Sequence, residues 1–292
     1  MISAEICHAA SIGDAVDEAR LCAGKSSSGA GRVVGLFSSG FYVEMEDALF
    51  AVAGPTIHPG PVHLILSSLP PRPRENEAVF FIPDALSVGR FTIGLSEARQ
   101  YAPTLPTPSA LRDILPVIAE LRHTFPIPAE LACVAADIEH AVAVSDLDGA
   151  RIKLQGLGSG LTPTGDDVLA GLLIVACWLN PSDPEPCCIS AAAATTRLSR
   201  AFLRWAALGQ SIQPVHQMLE AAQRMVRSGA QMACAQSRFD DIVEVLAQVG
   251  ASSGRALLAG LSLAAHYSSQ SSDVPANRQT DDRHNAFYPE AG

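Results

Sequence analysis

Hydrophobic and polar positions change rhythm once along this chain. Between Arg32 and Leu95, short runs rich in β-branched and aromatic residues (33–37, 41–46, 49–53, 62–66, 79–82 and 91–95) are separated by turn residues. Phe41, Val43 and Met45 alternate with Tyr42, Glu44 and Glu46, the period-two pattern of a half-buried strand, and Ser38, Ser39 and Gly40 supply a hairpin turn ahead of them. The pattern predicts a small antiparallel sheet or barrel. Ahead of it, 9–23 reads as one helix and 24–31 as a Gly/Ser connector. From Ser109 the period becomes helical: Leu111, Ile114, Leu115, Ile118 and Leu121 form one stripe, and Leu131, Val134, Ile138 and Val142 form another after the Pro126 and Pro128 break. Leu198, Phe202 and Trp205, then Val215, Met218, Leu219 and Ala222, then Ile242, Val243 and Leu246 continue it. The expected fold is α+β: a β-rich N-terminal domain over 1–108, a helical domain over 109–267, and a polar tail over 268–292 whose lack of period reads as disorder.

Composition narrows the function classes. A net charge of −10 and a pI near 5.2 argue against nucleic acid or an anionic membrane surface as partner. At 48% hydrophobic and 17% charged, 292 residues suffice for a substantial core. Seven cysteines, an odd number with Cys187 and Cys188 adjacent and no CxxC spacing, read as thiols of a reducing cytoplasm. The first residues, with Glu5, His8 and Asp14, lack the pattern of a secretory signal. The most apolar run, 168–179, is too short to span a bilayer and reads as a buried helix.

Chemistry concentrates in Gly156-Leu-Gly-Ser-Gly-Leu-Thr-Pro-Thr-Gly-Asp-Asp-Val-Leu-Ala-Gly171, a glycine-rich loop that ends in two carboxylates and enters an apolar helix. Helical spacing of Leu147, Ala150, Arg151 and Leu154 ahead of it predicts helix, loop, helix. A P-loop is excluded because Asp166 and Asp167 stand where Lys and Ser/Thr belong, and the Rossmann spacing fails after Gly160. Main-chain N–H groups at Gly158, Ser159, Gly160 and Gly165, with the hydroxyls of Thr162 and Thr164 and a helix N-terminus, outline a cradle for a small anion. Asp166 and Asp167 are the catalytic candidates, carboxylates placed to accept hydrogen bonds from a polar ligand. The same residues are open to a plainer reading, in which Thr164 or Asp166 caps the helix and Gly156 ends the one before it.

A second stretch, Ser253-Gly-Arg-Ala-Leu-Leu-Ala-Gly-Leu261, aligns with 164–172, placing Gly254 under Gly165 and Gly260 under Gly171. Ser253, Gly254 and Arg255 then face the first turn across one ligand, Arg255 gripping a carboxylate. Alternatively, Gly171 and Gly260 let two core helices approach closely. His58 and His63 flank Pro59, Gly60 and Pro61; a surface or hydrogen-bonded role is the ordinary outcome, and an imidazole near a ligand is the other. No histidine neighbours the acidic pair, so no metal site is read there, although magnesium held through a phosphate would suit two carboxylates.

These strings, with Gly250-Ala-Ser-Ser-Gly254 and the segments 33–53, 60–66 and 89–95, resemble the bacterial family that contains the AllH subunit of oxamate carbamoyltransferase. The resemblance covers most of 30–265 and departs where the family leads one to expect a carboxylate near 256; Ala256 follows Arg255 instead. It implies the interconversion of oxalurate plus phosphate with oxamate plus carbamoyl phosphate in anaerobic allantoin and purine breakdown, in company with partner subunits. No residue sits in an activated-nucleophile setting, which suits direct carbamoyl transfer. A non-catalytic scaffold subunit and an enzyme of another small carboxylate or amide are the alternatives.

Overall fold

The computed structural model describes residues 5–24, 30–181, 194–227 and 232–271. All six expected β runs are strands. In chain order they fall in β2 (Ala30–Phe37), β3 (Gly40–Met45), β4 (Ala48–Ala53), β5 (His63–Leu66), β6 (Ala78–Ile82) and β8 (Phe91–Gly94). Three more join them: β1 (Glu5–Ile12), β7 (Ala85–Val88) and β9 (Arg99–Gln100). Strand β1 corrects the helix expected over 9–23. Cys7 and Ala9 are buried while Ile6, His8 and Ala10 are exposed, a period of two that a strand satisfies, and an irregularity between Ala9 and Ser11 turns Ile12 to the buried side. Only Asp14–Ala23 is helical, as α1. The connector expected over 24–31 lies largely outside the described residues.

The strands pair in the order β5-β4-β3-β2-β6-β7-β8-β1, and β1 pairs again with β5, closing an eight-stranded barrel. The β1–β8 and β4–β5 pairs are parallel and the remaining pairs of the ring antiparallel, so the ring is mixed. Strand β9 extends the parallel arrangement beside the end of β1. The interior is filled by Phe41, Phe50, Leu64, Leu86 and Ile93, with Ala15, Val16 and Ala19 of α1 packed into the same core.

The rest is helical: α2 (Pro108–Ala119), α3 (Ala135–Ala143), α4 (Leu147–Leu154), α5 (Thr164–Leu179), α6 (Arg197–Ala207), α7 (Gln213–Arg227), α8 (Met232–Ala247) and α9 (Ser253–Ser271). Thr107 caps α2, accepting from the Ala110 N–H, and Pro108 opens it, where its missing N–H costs no intrahelical bond. The stripe expected over 131–142 is not one helix; a single 3-10 turn, Ala129–Leu131, precedes α3. Helix α9 runs on to Ser271, and the tail beyond it lies outside the described residues. No described helix is long and apolar enough to cross a membrane.

Helices α5 and α9 form the centre of this half. They cross at Gly171 and Gly260 with their backbones in contact: a Cβ on Gly171 would stand 2.5 Å from the Leu257 carbonyl oxygen, and one on Gly260 would run into the Val168 carbonyl. The close approach allowed by these two glycines is therefore real, and it sets the N-termini of α5 and α9 side by side. The two halves join where Trp205 of α6 enters the barrel core, Tyr101 Oη donates to the Ser211 carbonyl at 2.7 Å, and the Gln213 N–H donates to the Pro59 carbonyl at 2.8 Å.

Candidate functional site

A cavity of about 490 Å³ lies between the barrel and the helices. Its walls come from the N-termini of α5 and α9 (Thr162, Asp167, Ser253, Gly254), from α6 (Leu198, Phe202, Ala206), from the α6–α7 link (Gln210, Ser211, Ile212) and from the barrel side (Tyr42, Thr56, His58, His63). Most of this lining is apolar, with a few polar groups, as is usual for a small-molecule site.

The two adjacent aspartates face different ways, as successive helical residues must, about 100° apart around the axis. Asp166 is buried: Oδ1 accepts the Gly156 N–H at 2.8 Å and Oδ2 accepts the Thr195 hydroxyl. Thr196 completes the tie, its hydroxyl donating to the Leu161 carbonyl at 2.6 Å while also capping α6 through the Ser199 N–H. Asp166 therefore fastens the glycine loop to the start of α6. Asp167 turns to the cavity, and its Oδ2 is buried with no hydrogen-bond partner. Burial pushes its pKa up to about 7; the charges of Asp166 and Glu130 add to the rise, and the hydroxyls of Ser253 and Thr162 oppose it. Those hydroxyls lie 3.0 Å apart and bridge the two helix starts.

The other sequence candidates spread around this centre. Gly158, Ser159 and Gly160 form an exposed turn next in the chain to Leu161 and Thr162 of the lining; both glycines have positive φ, 112° and 96°, and a Cβ on Gly160 would meet nothing within 4 Å. The Gly165 N–H is taken by the Leu157 carbonyl at 2.8 Å, so that amide serves the loop. Thr164 is buried with its hydroxyl donating to Glu130. Arg255 is exposed and stacks over Phe125, 5.1 Å from the ring centroid, away from the cavity lining. Asp167, Thr162, Ser253 and Gly254 are thus brought together, and Asp166, Thr164, Gly165 and Arg255 are not. Among the described residues no group of three His, Cys, Asp or Glu side chains is placed to hold a metal ion, and no disulfide joins the described cysteines.

The barrel contributes what the motif does not contain. His63, 7% exposed, has an unpartnered buried Nδ1, and burial beside His58 lowers its pKa to about 4, leaving it neutral. Gln210 was not singled out from the sequence. Its Nε2 donates to Asp14 Oδ2 at 2.9 Å, while Gln100 donates to Asp14 Oδ1 at 2.8 Å. Because a carboxylate only accepts, Asp14 fixes the amide orientation and leaves Gln210 Oε1, also buried and unpartnered, as the free end. The one local signal was Gly209, whose φ of 72° and close fit against Trp178 turn the chain there.

Residues 154–265 match the family model described as oxamate carbamoyltransferase subunit AllH, the family that the glycine-rich stretch resembles. The match runs from the end of α4 through most of α9 and so includes Asp167 and Ser253 but not the barrel. No curated protein and no solved structure gives a significant match to the chain.

Proposed function

We propose that this chain is the AllH-like subunit of a cytoplasmic carbamoyltransferase that interconverts oxalurate plus phosphate with oxamate plus carbamoyl phosphate in anaerobic allantoin catabolism, together with partner subunits. The family match supports the reaction class, and the observation that carries the reading to this chain is the Asp167 carboxyl, lining the cavity with a pKa that burial raises to about 7. In the forward direction the oxamate amide nitrogen attacks the carbamoyl carbon, a C–N bond forms, the C–O bond to phosphate breaks, and Asp167 takes the proton lost by nitrogen. In reverse, phosphate attacks the terminal ureido carbonyl carbon, and the Asp167 carboxylic acid protonates the departing nitrogen. A group with a pKa of about 7 serves both roles at neutral pH. We assign the phosphate to the exposed turn of Gly158, Ser159 and Gly160, whose backbone conformation suits an approaching anion.

The assembly reconstituted with Asp167→Asn is expected to lose turnover by at least about a hundredfold, the usual worth of a positioned acid or base. Unchanged turnover would refute the catalytic role. A second reading, a structural subunit, is favoured by the engagement of Asp166, Gly156 and Gly165 in holding the loop to α6. The same measurement separates the two, since a structural subunit keeps activity once folded and assembled.

A further inference from the structure

Three buried side-chain atoms without a hydrogen-bond partner belong to residues lining this one cavity: Asp167 Oδ2, His63 Nδ1 and Gln210 Oε1. They come from three separate parts of the chain, the start of α5, strand β5 and the α6–α7 link. Buried polar atoms are costly unless paired, and all three can accept a hydrogen bond. Among the described residues neither lysine nor arginine lines the cavity. The ion pairs that join the barrel to α6 lie elsewhere: Arg204 bonds Glu18 and Arg197 bonds Glu44, and neither arginine is part of the lining. A half-open cavity with a carboxyl group, two further acceptors and no cation among the described residues is unsuited to a phosphate dianion and suited to a group rich in N–H.

We infer that His63 and Gln210 are specificity-determining residues which, with Asp167, make a pocket that accepts the primary-amide or ureido end of a small substrate through its N–H donors and rejects phosphoryl groups. The neutral state of His63 fits this role, since an imidazole without charge keeps one nitrogen as an acceptor. Gln210 is held to it by Asp14, while the Thr162 and Ser253 hydroxyls, bonded to each other and to Asp167, hold the carboxyl in place. The naming of the substrate rests on the carbamoyltransferase reading; the selection for N–H does not.

Calorimetric titration of the full chain with oxamate, oxalate, N,N-dimethyloxamate and inorganic phosphate tests it. Oxalate matches oxamate in shape without N–H, and dimethylation removes both donors. Oxamate is expected to bind about tenfold or more tightly than either, as the loss of one buried hydrogen bond entails, and phosphate is expected not to displace it. Gln210→Met and His63→Phe are each expected to weaken oxamate about tenfold, with folding checked by circular dichroism. Equal binding of oxamate and oxalate, displacement by phosphate, or absence of oxamate binding would overturn the inference, and the ligand series needs no variant. Donor-selective binding alongside retained turnover in Asp167→Asn would remove the catalytic role and leave recognition standing; unselective binding with lost turnover would do the reverse.

Discussion

At the scale of single residues, the two neighbouring aspartates have opposite effects on stability. Asp166 is paired with a backbone amide and a hydroxyl, so Asp166→Ala leaves a half-buried N–H and a half-buried hydroxyl unsatisfied. A loss of about 2–3 kcal/mol is expected from urea denaturation. Asp167 carries the opposite sign. Its pKa of about 7 when folded, against the ordinary 3.8 of an aspartate, means that folding favours the protonated form. Its contribution is full below about pH 4 and lost as pH rises through 7. Asp167→Asn is therefore expected to melt above the parent protein at pH 8 and together with it at pH 4; a lower melting temperature at pH 8 would contradict the burial of that charge. A consecutive pair of like residues in the sequence gives no sign of this division, because partners thirty residues away, Thr195 for one carboxylate and the cavity for the other, decide it.

Among the elements, the crossing of α5 and α9 determines the site, since it brings Thr162 and Asp167 beside Ser253. Gly171→Ala must push the helices apart against the Leu257 carbonyl and Leu261 amide. A stability cost of about 1–3 kcal/mol is expected, together with weaker oxamate binding as the two N-termini separate. This much was legible in the sequence, because the repeated glycine register of 164–172 and 253–261 records a packing requirement as well as a turn. The strands with strong β-branched alternation were legible too. Strand β1 was not, since its alanines carry no strand preference and only the barrel wall makes their alternation matter. Strand β7 is four residues with a serine inside, and the parallel pairs depend on contacts distant in sequence. The glycine loop was legible as a loop before a helix; which amides remained open was not, because Leu157 and Asp166 take theirs within the loop itself.

For the whole molecule, the site exists only where the barrel meets the helical half, so most of its lining fell outside the two glycine motifs. Gln210 shows why: its value comes from Asp14, nearly two hundred positions earlier. Acid should loosen this junction. His63 and His216, both buried, have folded pKa values of about 4 against 6.5, so their contribution to stability is present above pH 6.5 and lost as pH falls toward 4. The melting temperature is expected to drop between pH 6.5 and 5, and His216→Gln to flatten that drop; an unchanged slope would show that His216 is not neutral in the folded protein. The closed ring of eight strands has one more consequence, for assembly. Adjacent strands of the ring already consume each other's main-chain donors and acceptors, so a neighbouring polypeptide cannot lengthen that ring by strand addition. A companion subunit that docks on this ring does so through side chains, which makes such docking a matter of surface chemistry that point substitutions can dissect without unravelling the wall.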